Sequence, residues 1–272
     1  MEVLGNLSGI CEEVCRISRN VGKFVRLEQK RLTSAGIESK GTNDFVTYVD
    51  KAAETLLVSE LKALIPDAGF VTEENTVEKE DRELRWVIDP IDGTTNFIHG
   101  LPLYSISIAL LQNDTPVLGV VYEVSGDECF HAVAGGSAYL NDTVIHVSSR
   151  ATVKDSLLVT GFPYKDEGAL EEWMKLFTHL IRNSHGVRRL GSAAIDLAYV
   201  ACGRFEAFYE NGLSAWDVAG GALIVKQAGG KVTDFSDGDN FIFGSELMAG
   251  NGLVNDELLS LIHSHISSMK SV

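Results

Sequence analysis

The sequence predicts an α+β fold, and three features of its patterning carry that prediction. Apolar residues recur at helical spacing over the first 27 residues. Between residues 104 and 133, three apolar runs are separated by short polar turns, the signature of an antiparallel meander. A second succession of strand-like and helix-like segments then begins near residue 150. No Pro/Ser-rich linker, low-complexity tract or fixed-period repeat interrupts the 272 residues. Two packed halves, 1–145 and 146–272, are the economical organisation.

In chain order, the first helix places Leu7, Cys11, Val14, Ser18, Val21 and Val25 on one stripe, widened by Leu4, Ile10, Ile17 and Phe24. The polar stretch 28–43, with Gly36 and Gly41, reads as a loop. Residues 45–49 have strand propensity, and a helical pattern starts at Asp50. Asp50 fits a helix N-cap as well as a strand-end ligand. Residues 69–72 form a short strand that runs into Glu73 and Glu74. The meander strands are 104–111, 117–122 and 128–133, followed by a short strand at 144–147. In the second half, strands are expected at 156–161, 187–190, 205–209, 231–235 and 247–249. Helices are expected at 170–181, 193–201, 216–227 and from 256 to about 266. The helix at 170–181 should turn Leu170, Trp173, Met174, Phe177, Leu180 and Ile181 inward.

Composition narrows the function. With 23 basic and 38 acidic residues the net charge is −15, so there is no basic field for phosphate backbones and nucleic acid is an unlikely partner. Four cysteines without a CxxC spacing, two of them (Cys11 and Cys15) able to share a helix face, read as buried thiols in a reducing, cytoplasmic compartment. His99, His131 and His146 are scattered, and no histidine cluster or cysteine pair is expected to hold zinc or iron. The N-terminus lacks a basic region followed by an apolar run. No stretch nears the ~20 apolar residues that cross a bilayer.

The chemistry concentrates in residues 86–97, WVIDPIDGTTNF. Trp86, Val87 and Ile88 read as a buried strand that Pro90 should end at Asp89. Asp92 follows, then Gly93 for a turn, then Thr94, Thr95 and Asn96, residues that start helices or turns. Carboxylates also follow strands at Asp50 and Glu73, and Asp217 sits just inside the helix that begins WDVAGG. A set of hard oxygen donors of this kind suits Mg²⁺. Left empty, it repels itself; filled, it attracts an anion, for which Gly93, Thr94 and Thr95 offer N–H and hydroxyl donors. The arrangement suits metal-assisted hydrolysis of a phosphate ester, with Thr94 and Asp50 placed to orient and deprotonate a water.

At these residues the sequence resembles the inositol monophosphatase family of lithium-sensitive, magnesium-dependent phosphatases. The matching stretches are 86–102 (WVIDPIDGTTNFIHGLP), 216–230 (WDVAGGALIVKQAGG), 43–50 (NDFVTYVD), 70–74 (FVTEE) and 191–210. The resemblance implies a layered αβαβα sandwich, a homodimer and two to three Mg²⁺ ions. Glu73, Asp89 and the carbonyl of Ile91 would bind the first ion. Asp89, Asp92 and Asp217 would bind the second, and a third would sit by Glu73. Thr94 and Asp50 would activate water, and Gly93 and Thr94 would hold phosphate. Gly191, Ser192, Ala193, Glu210 and Arg188 would line the alcohol side, with Asp92 and Asp217 also touching substrate. The implied substrate is a small phosphorylated polyol, inositol monophosphate first. Relatives act on fructose 1,6-bisphosphate, NADP, histidinol phosphate or 3′-phosphoadenosine nucleotides, and some bacterial ones act on RNA-polymerase-associated complexes. Lys40, Gly41, Thr42 and Asn43 depart from the animal pattern and resemble the bacterial branch.

Overall fold

The computed structural model describes residues 4–33, 36–41, 44–80, 82–163 and 167–266. Asn43, which begins the matching stretch 43–50, and Thr42 before it lie outside the described residues.

After a 3₁₀ turn at Leu4–Asn6 comes α1 (Leu7–Gln29), whose stripe of Ile10, Val14, Ile17, Val21 and Val25 is buried. Each such side chain contributes roughly 1.5–3 kcal/mol by leaving water. Part of the expected loop is a strand, β1 (Ile37–Gly41), because it finds an antiparallel partner in β2 (Asp44–Thr47). Helix α2 (Tyr48–Leu64) begins two residues earlier than its pattern suggests. Thr47 is the N-cap, and Asp50 is the N3 residue that closes a capping box with it.

A seven-stranded sheet follows in the order β3 (Gly69–Thr72), β4 (Leu84–Asp92), β5 (Ser105–Gln112), β6 (Thr115–Glu123), β7 (Glu128–Val133), β8 (Ala138–Leu140), β9 (Thr143–Ile145). The β3–β4 pair is parallel and the rest are antiparallel, as a meander requires. Strand β4 does not stop at Asp89. It runs on to Asp92 through a bulge, since Asp89 faces Ser107 and Asp92 faces Ser105. Three steps on one strand match two on the other, so Pro90 falls where the ladder is already broken. A five-residue helix, α3 (Thr94–Ile98), leaves the strand through Gly93 at φ +94°.

The second half holds a five-stranded sheet of β10 (Leu157–Thr160), β11 (Gly186–Arg188), β12 (Ala207–Asn211), β13 (Lys231–Thr233) and β14 (Glu246–Gly250). Its spatial order is β11-β10-β12-β14-β13. Its helices are α4 (Glu167–Asn183), α5 (Ala193–Ala201), α6 (Ala215–Gln227) and α7 (Asn255–His265). On α4, Met174 and Ile181 are exposed, and Leu176 is buried instead. The inward stripe follows Trp173, Leu176 and Leu180, the i, i+3, i+7 row that reaches Tyr209 and Phe235.

Three cores define five layers. Helices α1 and α2 pack on one face of the seven-stranded sheet. Helices α5 and α6 lie between its other face and the five-stranded sheet. Helices α4 and α7 cover the far side of that second sheet. Strand β5 shows the division: Ile106, Ile108 and Leu110 face the first core, while Ala109 and Leu111 face the second. A helix between two sheets must be apolar all round and thin. Helix α6 meets this with Ala219, Gly220, Gly221 and Ala222, all buried. A β-carbon on Gly119 of β6 would come 2.5 Å from the Gly220 carbonyl, so glycine sets this separation.

Candidate functional site

The capping boxes aim two of the carboxylates. Asp50 Oδ2 accepts the Thr47 N–H at 2.8 Å and the Thr47 hydroxyl at 2.5 Å. Its Oδ1 lies 3.2 Å from Thr94 Oγ1, which is also 2.9 Å from the carbonyl oxygen of Ile91. Asp217 occupies the same N3 place on α6, with Oδ2 accepting the Ser214 N–H at 2.7 Å. Thr47-x-x-Asp50 and Ser214-x-x-Asp217 are thus the same local device used twice.

The β4 bulge aims two more. Asp89 Oδ1 accepts the Ile91 N–H at 2.9 Å, turning back over the bulge. Asp92 Oδ2 accepts the Ser192 hydroxyl at 2.6 Å and the Ala194 N–H at 2.7 Å, so it binds the N-terminus of α5. One oxygen each of Asp89, Asp92 and Asp217 lie within 4.8 Å of one another. Glu73 follows β3, where its N–H donates to Ile88 O at 3.3 Å, one step from Asp89.

This proximity is written in the proton affinities. Burial raises Asp89 well above the usual carboxylate range, and the charges of Glu73, Asp92 and Asp217 add to it. Asp217 is likewise raised well above that range by burial and then by Asp92. Asp92 is raised by burial against the pull of its Ser192 and Ala194 hydrogen bonds. Asp50 is raised by burial. A compact group of hard, mutually repelling oxygens fits a small divalent cation of the Mg²⁺ kind, whose charge removes the repulsion.

Beside the carboxylates lies a cavity of about 180 Å³, lined among others by Asp92, Arg189, Ser192, Asp196, Glu210 and Asp217. Gly191 and Ala193 line it too. Gly93 is not on its wall but packs against it. A β-carbon there would meet Leu103 O at 3.0 Å and Gly191 O at 3.1 Å, and its φ of +94° excludes most other residues. Glu210 is pushed up to about 8, chiefly by burial. Arg188 is elsewhere: it is exposed, its guanidinium donating to Val187 O at 3.2 Å. The arginine at the cavity is Arg189, one residue on, past the end of β11. Both arginines are exposed and Arg189 lies beyond the strand, so no strand alternation selects it, and the pair RR in the sequence carries no sign of which one reaches the cavity.

Four contributors were not legible as site residues. Buried Glu54 on α2 accepts N–H groups of Glu74 and Thr76, both at 2.8 Å, and so shapes the turn after Glu73. Asn96 donates to Leu103 O and Leu190 O, both at 2.8 Å, tying α3 to the second half of the chain. Asp196 is buried on α5, raised by burial and then by Glu210, and its Oδ1 has no hydrogen-bond partner among the described residues. Arg189 is the fourth.

A layered αβαβα fold with an acidic cluster at a strand bulge defines a class of metal-dependent phosphatases. The sequence profile described as the inositol monophosphatase family matches residues 7–270. An "Inositol-1-monophosphatase" of Mesorhizobium japonicum is 38% identical over 253 residues, 93% of this chain and 92% of that one. A "Nus factor SuhB" of Pasteurella multocida is also 38% identical over 253 residues, 93% of this chain and 95% of that one. The solved structure of a Thermotoga maritima IMPase superposes with a TM-score of 0.86 at 34% identity, covering 93% of this chain and 96% of that one. The chain belongs to the inositol monophosphatase family. Among the described residues no helix is long and apolar enough to cross a membrane.

Proposed function

We propose that the protein hydrolyses inositol monophosphate to inositol and phosphate, using Mg²⁺. The observation that carries this is the joining of the Asp89, Asp92 and Asp217 cluster to the Thr94–Asp50 pair and to a small polar cavity. Glu73, Asp89 and the Ile91 carbonyl would hold one ion, Asp89, Asp92 and Asp217 a second, and Glu73 a weaker third. Bound there, the ions would acidify a water and offset the charge of the phosphate. The chain's own part is positioning and proton transfer. With its hydrogen directed at Asp50 Oδ1, Thr94 Oγ1 turns its lone pairs to the attacking water. It takes the water's proton as its own passes to Asp50, whose buried carboxylate is the stronger base for its burial. Main-chain N–H groups of Gly93 and Thr94 hold the phosphate.

On the alcohol side, Gly191, Ser192, Ala193 and Glu210 face the ring hydroxyls, and Arg189 replaces Arg188 in that role. In this reading segment 1–145 supplies most ion ligands, and segment 146–272 supplies Asp217 and the hydroxyl-binding side. The active form is a cytoplasmic homodimer. A relative at 38% identity bears the name Nus factor, which favours a second role in binding a macromolecular partner. Charge alone does not exclude nucleic acid from such an assembly.

The test is Mg²⁺-dependent phosphate release from a panel of inositol, sugar and nucleotide monophosphates and fructose 1,6-bisphosphate, compared by kcat/KM. Inositol monophosphate should lead. A higher value for a nucleotide or sugar substrate reassigns the substrate, and no turnover of any member removes the enzymatic reading.

A further inference from the structure

The first helix and the meander bring together a second group of ligand-type side chains. Cys11 and Cys15 are four apart on α1 and stack on one face. Cys129 and His131 are two apart on β7 and share one face of the sheet. Helix α1 packs across that face. The sulfurs of Cys11 and Cys15 and a ring nitrogen of His131 lie within 4.8 Å of one another, with Cys11 Sγ 3.7 Å from His131 Nδ1. All four cysteines of the chain are free thiols. The reading of His131 as one of several scattered histidines misses this grouping, because i, i+4 on a helix and i, i+2 on a strand only meet once the two elements pack.

An independent observation points to a ligand. His131 Nε2 lies 3.0 Å from the carbonyl oxygen of Asn141. A carbonyl only accepts, so Nε2 carries the hydrogen and Nδ1 presents its lone pair to the thiols. Metal-binding imidazoles are held by this kind of outer hydrogen bond. The ring is further fixed by Tyr139, stacked at 5.2 Å and 11°. Asn141 is itself held, its Oδ1 accepting from Arg19 at 2.8 Å and from the Cys129 N–H at 3.2 Å. An open depression of about 530 Å³ reaches Cys11, Cys15 and His131, so a fourth position is accessible.

We propose that Cys11, Cys15 and His131 form a binding site for one soft divalent cation of the zinc type, with its fourth position open to the depression. Two thiolates and an imidazole select such a cation over Mg²⁺, which prefers oxygen. Tetrahedral zinc with bonds of about 2.0–2.3 Å needs ligand atoms roughly 3.5–3.8 Å apart, a range that holds the 3.7 Å between Cys11 Sγ and His131 Nδ1. On ligation Cys11 and Cys15 each release one proton to solvent, so one divalent cation replaces two protons and the site stays neutral. Cys15 is held well above the ordinary thiol value, first by the Cys11 thiol and also by burial, while Cys129 pulls the other way. The site shares no residue with the carboxylate cluster, and its effect is to pin α1 to the meander.

The test uses the full chain, reduced, with Mg²⁺ in excess to fill the carboxylate sites, and Co²⁺ as probe. One equivalent of Co²⁺ should produce an intense thiolate-to-cobalt charge-transfer absorption, abolished by one equivalent of Zn²⁺, and Zn²⁺ should raise Tm. Carboxylate ligands cannot give that band. Cys11→Ser and His131→Gln should lose the band and the Tm response while still unfolding cooperatively, and Asp89→Asn should keep both. The proposal is overturned if the wild-type chain shows no such band, or if the band survives in Cys11→Ser and His131→Gln. Should Cys11→Ser not fold, His131→Gln decides alone, since its amide can still donate to Asn141 O.

Discussion

The Thr94 hydroxyl lies 3.2 Å from Asp50 Oδ1 and joins the first turns of two helices that start 46 residues apart in sequence, at Tyr48 and Thr94. Asp50 is held by its capping box with Thr47, and the Thr94 hydroxyl sits between two acceptors, Asp50 Oδ1 and the Ile91 carbonyl at the β4 bulge, that share its one hydrogen. The pair is therefore preorganised before any substrate arrives.

If Thr94 and Asp50 act together on the water, Thr94→Val and Asp50→Asn should each lower kcat by about 10²–10⁴ with little change in KM. Thr94→Ser should keep most of the rate. The double variant should lose no more than the worse single one, because the residues form one relay. Steady-state kinetics with saturating Mg²⁺ read this out, and additive losses would separate the two roles.

The carboxylate cluster stores repulsion in the metal-free protein. Asp89 is raised by burial first and by the neighbouring acids next, so the folded state holds its proton more tightly than the unfolded chain. In chelator, stability should fall as pH rises above the ordinary carboxylate range, and Mg²⁺ should restore it. Asp89→Asn should abolish turnover, raise Tm in chelator at pH 8 and blunt the response of Tm to Mg²⁺. Differential scanning calorimetry with and without Mg²⁺ checks this. Undiminished turnover in the variant would sink the assignment of Asp89 as an ion ligand.

Glu210 gives a pH signature of its own. Its value of about 8 lies above the ordinary 4.5, so the folded chain binds one more proton than the unfolded chain between those limits. Stability without metal should therefore decline with rising pH across that window, by about 1.4 kcal/mol per pH unit from this group, and level off above pH 8. Glu210→Gln should remove that part of the slope. Denaturant midpoints at half-unit intervals measure it, and an unchanged slope would reject the raised value.

The two adjacent arginines should part company. Both are exposed, but Arg189 lines the cavity and Arg188 does not. Arg189→Ala should lower kcat/KM for inositol monophosphate by about tenfold or more, the worth of one charge-assisted contact. Arg188→Ala should leave it within about twofold. The reverse ranking would return the role to Arg188.

Asp89, Asp92 and Asp217 were legible because a carboxylate at a strand end or in the first turn of a helix is a local pattern, visible in DPIDGT and WDVAGG. Asp50 was legible as a candidate for activating water, and of its two local readings the N-cap falls to Thr47, because N-cap and N3 differ only in where the first turn begins. Glu54 and Asn96 were invisible as contributors. Their partners, Glu74 and Thr76 for one and Leu103 and Leu190 for the other, come together only when separate elements dock.

By itself the sequence determined the order of the helices and of the strands other than β1 and β8, the acidic character of the site and the turn at Gly93. Each follows from local periodicity, side-chain chemistry or the steric demands of a few neighbouring residues. Tertiary structure alone decided that β4 runs past Pro90, since only pairing with β5 shows the bulge that accommodates a missing N–H. It alone decided that Met174 and Ile181 face outward, that Arg189 rather than Arg188 reaches the cavity, and that Cys11, Cys15 and His131 meet. The physical reason is common to all four: register and packing between segments distant in sequence set which side chains meet and which stay at the surface, and no local pattern encodes the partner.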